Sequence, residues 1–188
     1  MKLNLGCGFN KKDGFVNVDI SSGCAADAVV DLATEKWPWA DSSVNEAHFD
    51  FSLEQMGEGK SHLLHILKEL YRVCANEAVV KIKFLHPRHD QFELNPLCVH
   101  RLSPEFFSLL SVSNNLNMIA NGSLDTSLGL MLGVNFNITR NKFLITAQFG
   151  QAMEAGQITE EEIRRRIPFE NNICHAIEVD LAVVKAQE

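Results

Sequence analysis

Two glycines, a cysteine and two carboxylates carry the strongest chemical signal in this sequence. Gly6, Cys7 and Gly8 follow a short apolar run, Leu3-Asn4-Leu5, and Asp19 closes the next run, Gly14-Phe15-Val16-Asn17-Val18-Asp19. Glycine lacks a Cβ, so the chain at Gly6 and Gly8 can turn with positive φ and leave its main chain open to a ligand. In open α/β sheets such ligands lie outside the carboxyl ends of the strands, where an acid after the second strand accepts hydrogen bonds from ribose hydroxyls. Asp31 ends a third run, Ala28-Val29-Val30, and so takes a matching position. Alone, Asp31 reads equally well as a turn or cap residue, and Gly6 with Gly8 as an ordinary strand-to-turn pair. Together, a bare-backbone bend and two strand-end acids point to a nucleoside cofactor.

What the loop lacks narrows the choice of cofactor. A dinucleotide fingerprint, G-x-G-x-x-G/A, needs a third small residue so that a helix can pack closely and present its N-terminus to a pyrophosphate. That position is Lys11 here, and about ten residues separate Gly8 from Asp19, half the usual interval of roughly 20. A full crossover helix does not fit, which disfavours NAD. S-adenosylmethionine carries ribose and adenine without phosphate and tolerates a short first connection.

The sequence LNLGCG, then GFVNVDI at 14 to 20 and DAVVDL at 27 to 32, resembles a compact group of class I S-adenosylmethionine-dependent methyltransferases. The resemblance continues through WPWADSSVNEAHFDFSLEQM at 37 to 56 and LKELYRV at 67 to 73, and covers roughly the first 110 residues. It implies an α/β fold with a Rossmann-like, mostly parallel sheet, a C-terminal antiparallel strand pair and helices on both faces. It implies that Gly6, Cys7 and Gly8 hold the methionine end of S-adenosylmethionine, that Asp19, next to Ile20, holds the ribose, and that Asp31 with Leu32 holds the adenine edge. Asp50, Phe51 and Glu54 would face the transferred methyl group. The implied activity is methyl transfer to a small-molecule or peptide-like acceptor, with Glu54, His86 and His100 as candidate bases. Two departures stand out: Glu54-Gln55 replaces the family's common Glu-His, and Ala75-Asn76-Glu77 replaces a Pro-Gly-Gly turn. The first keeps open a second reading, a non-catalytic cofactor-binding module that acts through a partner.

The positioning elements follow from patterning. Lys2 to Leu5, Phe15 to Ile20, Ala28 to Val30, Val44 to Phe49 and Ala78 to Leu85 read as strands from β-branched content, length and flanking turns. Leu63, Ile66, Leu67, Leu70 and Cys74 recur at the spacing of one buried helix face. Pro38 makes Trp37-Pro38-Trp39 a packed loop, and Pro87 ends the fifth strand. Ser103-Pro104 starts a helix with an N-cap and an N1 proline, and Thr159 to Glu162 is a capping box. Residues 121 to 133 are expected to form a lid or substrate loop. Val134 to Phe149 is expected to form two strands about a turn at Arg140-Asn141, with Asn141 at positive φ, and Ala176 to Val184 a closing antiparallel strand.

Composition bounds the rest. At 188 residues and 46% hydrophobic content, residues 1 to 188 are expected to form one domain, with a cofactor-binding core over 1 to 110 and a divergent part over 111 to 188. A net charge of −7 disfavours a nucleic-acid partner, which needs clustered Lys and Arg. Arg164-Arg165-Arg166 follows three acids and reads as a helix face that complements the dipole. Five scattered cysteines without CxxC spacing read as free thiols in a reducing compartment. His86, His89 and Asp90 form no metal site by spacing, since Pro87 bars a shared helix face; no metal is expected. With no leader segment and no apolar run near the roughly 20 residues that span a bilayer, the expectation is a cytoplasmic protein without membrane contact.

Overall fold

A computed structural model describes residues 1–185. Among these described residues seven strands form one sheet: β1 (Lys2–Leu5), β2 (Val16–Asp19), β3 (Ala28–Val29), β4 (Val44–Asp50), β5 (Cys74–Leu85), β6 (Phe136–Ile145) and β7 (Cys174–Val183), in the order β3-β2-β1-β4-β5-β7-β6. The first five pair in parallel, and β7 runs antiparallel to both β5 and β6. Strand order reverses between β1 and β4, and ligands of α/β sheets settle at such a switch point.

Among the described residues seven helices surround the sheet: α1 (Lys60–Val73), α2 (Asp90–Leu94), α3 (Pro104–Ser108), α4 (Val112–Ala120), α5 (Leu128–Leu132), α6 (Ala147–Glu154) and α7 (Glu160–Arg166). The connection from β1 to β2 contains no helix, and that from β2 to β3 only a 3-10 turn at Ser22–Cys24, as the short spacing predicts. In α1 the buried stripe is Leu63, Ile66, Leu67, Leu70 and Val73. Cys74 belongs to β5 instead, because the chain turns extended there, at φ −71 and ψ 138. Trp37 is fully buried and meets Trp39 edge to face at 5.9 Å. The capping box forms: Thr159 Oγ1 accepts from the Glu162 N–H, and the Glu162 carboxylate accepts from the Thr159 N–H.

Along β4, β5 and β7 buried residues alternate with charged ones. Val80, Ile82, Phe84, Val179 and Leu181 enter the core, while paired positions place His48, Lys81, Asp180 and Arg140 in one row across four strands. Asp50, Lys83, Glu178 and Lys142 make a second row of alternating sign. Ion pairs from Glu46 to Lys2 at 2.7 Å and from Arg140 to Glu178 at 3.4 Å lie on this face. Opposite charges on neighbouring strands stabilise their pairing.

The C-terminal part corrects one expectation. Residues 136–145 form a single strand that runs through Arg140 and Asn141, and Asn141 is not among the residues at positive φ. The register shifts at Thr139, between Ile138↔Leu181 and Arg140↔Asp180, so an irregularity replaces the turn. Arg140 then reaches both Asp180 and Glu178 on β7. Of the segment read as a second strand, residues 142–145 complete β6 and residues 147–149 open α6. Residues 121–127 form a connection, and residues 128–132 are α5. Among the described residues no helix is long and apolar enough to cross a membrane.

Candidate functional site

The glycine bend is held from below and from the side. Gly6 has φ +66, and a Cβ there would lie 2.6 Å from both Met56 Cε and Ser52 Cβ. Ser52 cannot readily retreat, since its Oγ donates to the Leu5 carbonyl over 2.7 Å. Gly8 has φ +48, and a Cβ there would meet nothing within 4 Å, so its constraint is conformational. The Gly8 N–H donates to Asp19 Oδ2 over 2.8 Å, and the Ser21 N–H to Asp19 Oδ1 over 2.9 Å. One carboxylate therefore clasps the loop after β1 and the turn after β2, and each oxygen keeps lone-pair capacity for a ligand.

A buried polar network behind the bend fixes its position. Asn4 Nδ2 donates to the Asn10 carbonyl and to Asn17 Oδ1, both at 2.9 Å. Asn17 Oδ1 also accepts from the Lys12 N–H, and its Nδ2 donates to Asp27 Oδ2, each at 2.8 Å. Asp27 is held below the usual carboxylate range by hydrogen bonds from the Asn17 backbone and side chain. Sequence reading passed over these residues; the signal available was asparagine inside two apolar strands, at Asn4 and Asn17.

Above the strand ends lies a cavity of about 560 Å³. Gly6, Cys7, Gly8, Asp19 and Ile20 line one side, Asp31 and Leu32 another, and Asp50 and Phe51 a third. Asp31 also acts as a turn residue: its oxygens accept from the Ala33 N–H at 3.0 Å and the Thr34 hydroxyl at 2.5 Å. Phe51 sits at φ +54, a costly conformation for a bulky residue, with Lys83 Nζ 5.0 Å from its ring centre. The lining also includes Ser52, Gln55, Met56 and Leu97, which the sequence reading did not name as ligand contacts. Phe9 and Leu97 stand at the mouth, 87% and 63% exposed.

Glu54, His86 and His100 are not among the lining residues. Glu54 is fully buried; its Oε1 accepts from the Leu85 N–H at 3.1 Å and its Oε2 has no partner. Burial, with a contribution from Asp50, pushes its carboxyl up to about 6 against backbone hydrogen bonds that pull it down. His100 Nε2 lies 2.7 Å from the Met56 carbonyl, and the His100 and Val99 N–H groups donate to the Glu54 carbonyl. These two side chains brace the wall that carries Gln55 and Met56. His86 Nδ1 accepts from the Arg88 N–H, and burial lowers its pKa. Gln55 Nε2 donates to the Phe51 carbonyl over 2.7 Å.

The five cysteines are free thiols, but they are not all apart. Cys7 and Cys24, remote in sequence, converge with Asp19 so that their ligand atoms lie within 4.8 Å of one another. His86, His89 and Asp90 form no such group among the described residues.

No model of a known protein family matches the sequence, and no curated protein matches it. Solved structures do match in fold. A SAM-dependent methyltransferase from Archaeoglobus fulgidus aligns with TM-score 0.63 at 15% identity, over 96% of this chain and 85% of that one. One from Methanosarcina mazei aligns with TM-score 0.56 at 14% identity, over 98% and 92%. The [4+2]-cyclase SpnF aligns with TM-score 0.55 at 14% identity, over 98% and 74%. At such identities the likeness establishes architecture, and the chain has the fold of the class I S-adenosylmethionine-dependent methyltransferases.

Proposed function

We propose that the protein binds S-adenosylmethionine in the 560 Å³ cavity and transfers its methyl group to a small-molecule or peptide-like acceptor. The observation that carries this reading is that Asp19 and the Gly6–Gly8 bend, joined by a 2.8 Å hydrogen bond, share one cavity with Asp31, Asp50 and Phe51. The cavity fits the group in size, within the roughly 300–1,000 Å³ usual for ligand sites, and in its mixture of apolar walls and strand-end carboxylates. In this reading the bend receives the methionine end, Asp19 and Ile20 the ribose, and Asp31 and Leu32 the adenine. When bound, the cofactor supplies an electrophilic methyl group on a sulfonium.

The chain's own task is then to orient an acceptor and exclude water rather than to provide a strong acid. Asp50 and Phe51 occupy the wall where the acceptor would approach, and Lys83 Nζ over the Phe51 ring, with the His175 ring tilted against it at 6.0 Å, stiffens that wall. No base is assigned from Glu54, His86 or His100, since none reaches the cavity wall. An acceptor that is already deprotonated or loses its proton to solvent fits such a site best.

A second reading, a cofactor-binding module without turnover, is favoured by one observation: Gln55, on the wall, offers an amide already committed to the Phe51 carbonyl. Calorimetry with S-adenosylmethionine, S-adenosylhomocysteine and NAD separates the readings. Binding of the two sulfur compounds and not NAD is expected. Binding of neither sulfur compound at millimolar concentration sinks the proposal, and binding without transfer to an acceptor panel selects the second reading.

A further inference from the structure

Among the described residues, one group of three metal-ligating side chains converges, and it lies at the edge of the cavity. Cys7 comes from the bend after β1, Asp19 from the end of β2 and Cys24 from the 3-10 turn that follows. We infer that Cys7, Asp19 and Cys24 form a binding site for a thiophilic divalent cation of the zinc class, with a fourth position left to solvent.

The geometry needs little change to close around an ion. With Zn–S near 2.3 Å, two sulfurs of a tetrahedral site stand roughly 3.8 Å apart, and the three ligand atoms already lie within 4.8 Å of one another. While protonated, Cys24 Sγ donates to the Ser21 carbonyl at 3.0 Å and Cys7 Sγ to the Gly8 carbonyl at 3.4 Å; both bonds are given up when the thiolates turn to the ion. Both Asp19 oxygens are oriented by N–H groups, the kind of outer-shell support that metal ligands require. Both thiols are at most 6% exposed, so ligand exchange with solvent thiols is restricted.

A bound dication offsets the negative charge that two thiolates and the Asp19 carboxylate bring together, and its binding releases the two thiol protons to solvent.

The site shares Asp19 with the proposed ribose contact, so ion and adenosyl ligand should compete; that clause alone rests on the cofactor reading. The test is a Cd²⁺ titration of the reduced protein without nucleoside, followed by thiolate-to-cadmium ultraviolet absorption and proton release in weak buffer. One equivalent bound and two protons released are expected. Cys24→Ser, which does not touch the cavity, and Cys7→Ser should each weaken binding at least tenfold, while Cys98→Ser leaves it unchanged. Undiminished binding in folded Cys24→Ser, a signal that follows Cys98, or no stoichiometric binding overturns the inference. A parallel S-adenosylhomocysteine titration with and without Zn²⁺ reads the competition: if Cd²⁺ binds as described and Zn²⁺ leaves nucleoside affinity unchanged, Asp19 is not the ribose contact, and the metal site stands.

Discussion

Gly6 and Gly8 share one loop and one sign of φ, yet the structure predicts different responses to a methyl group. At Gly6 a Cβ would strike Ser52 and Met56 at 2.6 Å in a left-handed conformation. Strain and overpacking together should cost Gly6→Ala about 2–4 kcal/mol of stability by urea unfolding. Gly8→Ala meets open space and should cost only about 1–2 kcal/mol; equal losses would show that Ser52 yields. Glu54 gives the residue-scale pH prediction. Its carboxyl rises from 4.5 to about 6 on folding, so between those values the folded chain keeps a proton that the unfolded chain releases. Stability therefore falls as pH rises through this window, by about 2 kcal/mol. Glu54→Gln should remove that component: the change in unfolding free energy from about pH 4 to about pH 7.5 should be more positive in the variant than in the parent. Parallel pH profiles for the two proteins would contradict it. At this scale the sequence showed the glycines and strand-end acids because their roles are local. It could not show Cys24 beside Cys7, which depends on how the turn after β2 folds back.

At the scale of elements, the carboxyl ends of β1, β2 and β3 were legible within a residue or two, since short apolar runs stop at Gly6, Asp19 and Asp31. The short first connection was legible too, and its rigidity has a source that patterning does not reveal. Asn17 joins β2 to the Lys12 backbone, to Asn4 on β1 and to Asp27 before β3. Asn17→Ala leaves buried Asn4 and the part-buried Lys12 N–H without their partner and should cost about 1–3 kcal/mol; a loss under 0.5 kcal/mol, on the order of a surface substitution, would show that water replaces the network. β6 was misread because Arg140-Asn141 has turn chemistry locally, whereas the strand is stabilised across the sheet by Asp180 and Glu178. Helices α4 and α6 were missed for a related reason. At nine and eight residues they span little more than two turns, too few to repeat a helical period, and Ser111 Oγ accepting from the Asn114 N–H supplies the start signal for α4.

At the scale of the molecule, the sheet order β3-β2-β1-β4-β5-β7-β6 puts the order reversal under the cavity, so topology and local chemistry select the same place. The charged rows on β4, β5, β7 and β6 lie on the sheet face opposite the buried residues, and their alternating signs account for Lys81 and Lys83 inside an otherwise apolar strand. Fold alone does not assign the reaction, because one architecture hosts several chemistries. The assignment rests on whether the Gly6–Gly8 bend and Asp19 grip an adenosyl group. The most direct measurement is a calorimetric titration of S-adenosylhomocysteine into the parent and into Asp19→Ala, with folding of both checked by circular dichroism. The account predicts a loss of about 1–3 kcal/mol, roughly 5- to 140-fold in affinity. Equal affinity in a folded Asp19→Ala protein would contradict it.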